Sequence, residues 1–151
     1  MEIERKFIID TPPELVYTCK QVKIEQSYLS LNPEVRIRRE DNRFFLTCKG
    51  EGTLSRHEEE KQITESEYNS YLATAITYPI IKKRYYVPLQ DGYIAELDIF
   101  EGYLKGLITV EVEFPTIQDS CEFIPVFWFG REVTDDKNYK NRNLAKLKIE
   151  K

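Results

Sequence analysis

Read at the two-residue period of a β-strand, the chain divides into segments with a charged face and an apolar face. Glu2, Glu4 and Lys6 share one face against Ile3 and Phe7, and Arg5 falls among the apolar positions, where it must snorkel or pair. The division recurs at Val35-Arg36-Ile37-Arg38, at Leu46-Thr47-Cys48-Lys49, and across Arg56, Glu58 and Glu60. It recurs again at Lys82 and Arg84, at Glu96-Leu97-Asp98-Ile99, and at Val110-Glu111-Val112-Glu113-Phe114. Strands are predicted over residues 2–9, 22–31, 35–38, 43–49, 54–63, 80–87, 93–100 and 107–114. Asp41-Asn42 and Asp91-Gly92 supply hairpin turns, and 50–52 and 101–106 turn the chain as well. Hairpins in succession predict an antiparallel sheet, and about eight strands close a barrel that holds one small ligand.

Helices are expected at the seams. Thr11-Pro12-Pro13-Glu14 and Thr64-Glu65-Ser66-Glu67 have the form of capping boxes. The second opens a helix whose apolar side is Tyr68, Tyr71, Leu72, Ala75 and Ile76. Thr116-x-x-Asp119 predicts a short third helix, and a final amphipathic helix is expected over 138–148. With no repeat, linker or low-complexity stretch, residues 1–151 read as one domain. Its class is all-β-dominated α+β, an eight-stranded antiparallel β-barrel with flanking helices.

The pattern alone leaves two architectures standing. In an open sheet the ionic faces meet water, where same-sign neighbours about 7 Å apart cost only about 0.6 kcal/mol per pair. In a semi-enclosed tunnel the same pair costs about 2.4 kcal/mol, and compensating charge is required. The ionic faces carry eight acids (Glu2, Glu4, Glu58, Glu60, Glu96, Asp98, Glu111, Glu113) and seven bases (Lys6, Arg36, Arg38, Lys49, Arg56, Lys82, Arg84). Carboxylate oxygens suit Mg²⁺ or Mn²⁺, and Arg and Lys suit phosphate. There is no G-x-x-x-x-G-K-[ST] and no G-x-G-x-x-G, so phosphate is expected to be held by side chains.

Composition narrows the chemistry further. A net charge of −4 gives no argument for a nucleic-acid or anionic-membrane partner. Cys19, Cys48 and Cys121 lie far apart, reading as free thiols in a reducing compartment, and no leader or long apolar run is present. A cytoplasmic location is expected. His57 is the only histidine, which leaves little room for His-based metal sites or Ser-His and Cys-His catalysis.

The opening Glu2-x-Glu4-x-Lys6 resembles the signature of the CYTH superfamily, the triphosphate tunnel metalloenzymes. The likeness continues through Gln26-x-Tyr28-Leu29, Arg36-x-Arg38, Leu46-Thr47-x-Lys49 and Leu54-Ser55-Arg56-x-Glu58-x-Glu60. Lys82-x-Arg84-Tyr85, Glu96-Leu97-Asp98 and Glu111-Val112-Glu113-Phe114 follow in order. Trp128-Phe129-Gly130-x-Glu132-Val133-Thr134 and Tyr139-x-Asn141-x-x-Leu144-Ala145 look like the small bacterial members.

The resemblance implies an eight-stranded tunnel plugged by a C-terminal helix, with Lys137 or Lys140 reaching in. It implies hydrolysis or cyclisation of a triphosphate with Mg²⁺ or Mn²⁺. Residue by residue, it makes Glu2, Glu4, Glu111 and Glu113 the metal ligands, with Glu58, Glu60, Glu96 and Asp98 assisting. Lys6, Arg36, Arg38, Lys49, Arg56, Lys82 and Arg84 would hold the triphosphate, and Glu60 or Lys82 would take a proton from the attacking water. Inorganic tripolyphosphate is the first choice of substrate, ahead of a nucleoside triphosphate, thiamine triphosphate or a class IV cyclase reaction. A non-catalytic polyphosphate-binding module is the rival of another class, and the full set of acidic pairs argues against it. A small-molecule triphosphate is the one partner expected. The oligomeric state stays open, a homodimer included. Tyr28 is read as packing at a barrel end, His57 as surface, and Cys48 and Trp128 with Phe127 and Phe129 as core.

Overall fold

A computed structural model describes residues 3–49 and 58–148. Glu2, Arg56 and His57 lie outside the described residues. Eight strands form in the expected order: β1 (Glu4–Ile8), β2 (Lys20–Leu31), β3 (Glu34–Glu40), β4 (Arg43–Lys49), β5 (Glu58–Ile63), β6 (Ile80–Pro88), β7 (Ile94–Glu101) and β8 (Ile108–Glu113). They make one sheet in the order β1-β8-β7-β6-β2-β3-β4-β5. The helices are α1 (Glu65–Leu72), α2 (Ile117–Glu122) and α3 (Asn141–Leu144). Among the described residues no helix is long and apolar enough to cross a membrane.

Two of the three capping signals form. The Thr64 hydroxyl accepts from the Glu67 N–H while the Glu67 carboxylate accepts from the Thr64 N–H, closing a capping box on α1. Thr116 caps α2 by accepting from the Asp119 N–H. The Thr11 signal fails because Pro12 and Pro13 hold the residues before them in extended backbone. The helix there starts after Pro13, as a 3₁₀ turn over Glu14–Thr18 with no side-chain cap. The predicted C-terminal helix is also shorter. A 3₁₀ turn at Lys137–Tyr139 precedes the four-residue α3, and the chain then runs extended. There Leu147 bridges Thr77, the Tyr78 N–H donates to Lys146 and the Lys148 N–H to Ile76. Extended pairing over 146–148 rules out the continuous plug helix expected over 138–148.

Contacts divide the chain into two compact units, Met1–Val22 with Lys82–Lys137 and Lys23–Ile81 with Asn138–Lys151. In the first, Phe7, Tyr85, Val87, Ala95, Leu97, Val110, Val112 and Phe114 form a core on one face of the strands. Trp128 and Phe129 pack against it, but Phe127, expected in the core, is 95% exposed. The outer edge of β1 is covered by an irregular ribbon. The Gly130 N–H donates to Ile8, the Ile8 N–H to Arg131, and the Val133 N–H to Lys6. The Lys6 N–H donates to the Thr134 hydroxyl. Only glycine fits at 130, since a Cβ there would collide with the Ile8 carbonyl oxygen.

Arg5, anomalous in the strand pattern, is what ties this ribbon down. Its Nε and Nη2 donate to Glu132 at 2.9 and 2.7 Å, and its Nη1 donates to the carbonyls of Ser120 and Phe123. The Arg5 hydrogen bonds hold the Glu132 carboxyl below its ordinary 4.5. The folded carboxyl is the stronger acid, so its stabilisation is complete above that value and lost as pH falls through the depressed one. A Glu132→Gln variant should therefore be less stable by about 1 kcal/mol at neutral pH. Thermal unfolding followed into the acid range should show the difference from the parent shrinking.

In the second unit, Ile37, Phe44, Leu46, Ile63 and Tyr68 form the core, with α1 over β3 and β4. Cys48 packs against this core as expected, and all three cysteines are free. A bulge between Tyr28 and Ser30 shifts the β2–β3 register, leaving Tyr28 opposite Arg36 and Gln26 opposite Arg38.

Candidate active site

Register fixes what the strand pattern could not. In the first unit Glu4 lies opposite Glu113, Lys6 opposite Glu111, Glu111 opposite Glu96, and Thr109 opposite both Ile8 and Asp98. Three neighbouring strands thus bring Glu4, Glu96, Glu111 and Glu113 to one face with Lys6 among them. The Lys6 ammonium lies 3.3 Å from Glu111. Beside them Asp98 is saturated with donors: Lys82 Nζ at 2.8 Å, Arg84 Nε at 2.8 Å and Arg84 Nη2 at 3.0 Å. Arg84 Nη1 reaches on to Glu96 at 3.1 Å. The Lys82 ammonium also lies 5.2 Å from the Phe100 ring centre.

The face is exposed at Glu4 and Glu113 but dry around Asp98. The side chains of Lys82 and Asp98 are each only 3% exposed. Burial pushes the Asp98 carboxyl up, yet Lys82 and Arg84 outweigh it and hold the carboxyl down to about 2. Burial pushes the Lys82 ammonium down and Arg84 adds to the fall, while Asp98 opposes both. Burial also works against the Arg84 cation, and Asp98 and Glu96 more than restore it. Glu96 has the opposite problem. Burial raises its carboxyl, Arg84 counters, and the negative charges of Asp98, Glu111 and Glu113 raise it further.

The second unit carries a mixed ionic face in which Arg36, Arg38 and Lys49 are interleaved with carboxylates. Along β3 the period-two set is Glu34, Arg36, Arg38 and Glu40, so the arginine pair is bracketed by carboxylates. Arg36 Nη1 lies 3.2 Å and Lys49 Nζ 3.3 Å from the same Glu34 oxygen, on a side chain 6% exposed. Arg38 lies 3.6 Å from Glu40 and 3.3 Å from Glu60, and Glu60 also accepts from the Thr47 hydroxyl at 2.9 Å. Glu58 lies 3.9 Å from Arg36. The Nε groups of both Arg36 and Arg38 are buried without an acceptor among the described residues. The Arg38 Nε has only the 3.6 Å ion pair with Glu40, so two guanidinium donors two residues apart on one strand face have hydrogen-bonding capacity left for an oxyanion.

Four residues of this face were not among the expected site residues. Glu34 and Glu40 extend the Arg36-x-Arg38 period by one step each way, a signal the sequence carries. Gln26 and Tyr28 are neutral; the Gln26-x-Tyr28-Leu29 block is their signal in the sequence, and register sets them opposite Arg38 and Arg36. Tyr28 is fully buried on this face, its hydroxyl accepting from Gln26 at 3.2 Å. Burial raises its phenol and Arg36 opposes the rise.

A metal suits the first unit's donor set. Its acids are all hard oxygen donors, and like charges directly opposite one another call for a cation. Among the described residues no three acids, cysteines or histidines are already gathered as an ion's ligands. The expected fourth ligand, Glu2, lies outside them.

No family model matches the chain. It is 42% identical over 147 residues to an inorganic triphosphatase of Nitrosomonas europaea, covering 95% of this chain and 96% of that one. It is 37% identical over 150 residues to an inorganic triphosphatase of Acetivibrio thermocellus, covering 96% and 93%. The fold matches the crystal structure of an inorganic triphosphatase with a TM-score of 0.80 at 38% identity, over 100% of this chain and 97% of that one. The eight-stranded antiparallel architecture is thus that of the triphosphate tunnel enzymes. Within that CYTH superfamily, the chain belongs to the inorganic triphosphatase family.

Proposed function

We propose that this chain hydrolyses inorganic tripolyphosphate to pyrophosphate and phosphate with Mg²⁺ or Mn²⁺ in the cytoplasm. The observation that carries the reading is the pair of buried Nε donors on Arg36 and Arg38 that make no hydrogen bond among the described residues, on a face where Lys49 adds a third cation. The named activity of both relatives supports it. Three free cysteines fit the location.

The phosphate-holding set is Lys6, Lys82 and Arg84 from the first unit, Arg36, Arg38 and Lys49 from the second, and Arg56. A triphosphate carries about four negative charges, which these bases neutralise and orient. Glu4, Glu111 and Glu113, with Glu2 and with Glu96 assisting, are the carboxylates that would hold the metal. A bound divalent ion there supplies Lewis-acid charge stabilisation. Asp98 keeps Lys82 and Arg84 charged and aimed, because both its oxygens are taken. With its ammonium so paired, Lys82 serves as a phosphate cation. Glu60, exposed and fixed by Thr47 and Arg38, is the better placed carboxylate to accept a proton from water. Glu58 stands beside it, two residues away along β5, as an outer counter-charge to Arg36.

Phosphate release from tripolyphosphate, ATP and thiamine triphosphate tests the reading, with Mg²⁺, with Mn²⁺ and with chelator. Metal-dependent release fastest from tripolyphosphate is expected. Turnover of none of the three, or turnover unaffected by chelator, overturns it.

A further inference from the structure

We infer that Glu34 is an internal counter-anion of the phosphate grip, occupying Arg36 and Lys49 so that bound phosphates leave. This rests on the reading of those two side chains as phosphate ligands. A single oxygen, Oε2, lies 3.2 Å from Arg36 Nη1 and 3.3 Å from Lys49 Nζ, the arrangement a phosphate oxygen would adopt between the same cations. The side chain is almost fully buried, so its charge is screened little by water. Among the described residues Arg36 keeps its Nε donor without a hydrogen-bond acceptor. An incoming phosphate therefore meets a guanidinium already oriented but only partly committed.

A purely attractive grip would bind the hydrolysis product almost as well as the substrate, since both present terminal phosphate oxygens to the same donors. Binding substrate and transition state equally does not raise turnover, and slow product release lowers it. A fixed negative charge within the grip weakens every phosphate bound there. Turnover gains from that where release is limiting. Glu34 acts through Arg36 and Lys49 and is a positioning residue. Its charge, more than its shape, is what the inference turns on.

Glu34→Gln keeps the acceptor oxygen and removes the charge. Its inhibition constant for pyrophosphate should fall about tenfold, and KM for tripolyphosphate and kcat should fall together. Glu34→Asp keeps the charge but draws it back from Arg36 and Lys49, and should shift all three in the same direction by less. If Glu34→Gln shows no cooperative unfolding transition, Glu34→Asp is read against the parent alone. A retracted carboxylate should then still tighten pyrophosphate binding. In whichever variant is read, a pyrophosphate inhibition constant that is unchanged or raised overturns the inference, because a merely structural carboxylate would loosen the grip when altered. Parent protein that turns over no triphosphate defeats the functional reading instead, so the two failures are distinguishable.

Discussion

An Asp98→Asn variant is expected to lose about 3–5 kcal/mol of folding stability, the cost of stripping a buried counter-ion from its cations. The side chains it serves have few alternatives. Lys82 is buried against Phe100 with Asp98 as its ion-pair partner at 2.8 Å, and Arg84 spends two of its nitrogens on the same carboxylate. Asparagine is nearly isosteric and retains one acceptor oxygen, so the loss reads charge rather than packing. Chemical denaturation of the two proteins measures it as a shift in midpoint at constant slope. Adding Lys82→Met should recover part of the deficit, because an apolar side chain needs no counter-ion. A single variant within about 0.5 kcal/mol of the parent, the range of ordinary surface changes, would show that the pair is effectively solvated.

Glu111→Gln is expected to lower kcat/KM for tripolyphosphate by about 100-fold or more, beyond what removal of an outer partner of a metal ligand costs. Glu111 stands between Lys6 and Glu96 on the central strand of the acidic patch, so one substitution unsettles both. The half-saturating Mg²⁺ or Mn²⁺ concentration should rise with it. An unchanged metal requirement alongside reduced activity would instead assign Glu111 to orienting Lys6.

Much of the fold was legible because the strands are strongly amphipathic and their turns carry explicit signals. Asp41, in the first predicted hairpin turn, has a φ of +51°, and Gly92, in the second, +89°. Thr64 and Thr116 cap their helices as their spacing indicates. The misreadings were local competitions. Pro12 and Pro13 overrode the Thr11 cap, and the pairing of Leu147 with Thr77 overrode helical periodicity near the C-terminus. Phe127 was assigned to the core by its neighbours' company, although adjacent residues in an irregular loop need not share a side.

The site was legible as composition and not as pairing. Period two told which charges share a face, but partners depend on register, which a single strand does not contain. By strand period Asp98 groups with Glu96 as an assisting acid, whereas its bonds to Lys82 and Arg84 depend on where β6 lies relative to β7. Gln26 and Tyr28 carry no charge, so a count of ions passed over them.

The Arg5 clamp has a consequence for how the protein is made. Its bond to Glu132 spans 127 positions in the chain, and β1 is otherwise paired with β8 and the ribbon at 130–134. Emerging from the ribosome at about 5–20 residues per second, β1 meets none of these partners for several seconds. Glu4 and Lys6 are therefore synthesised well before the partners that place them. A nascent chain can complete its hairpin at Asp41 early, but β1 finds its place only once β8 and the 130–134 ribbon have been made.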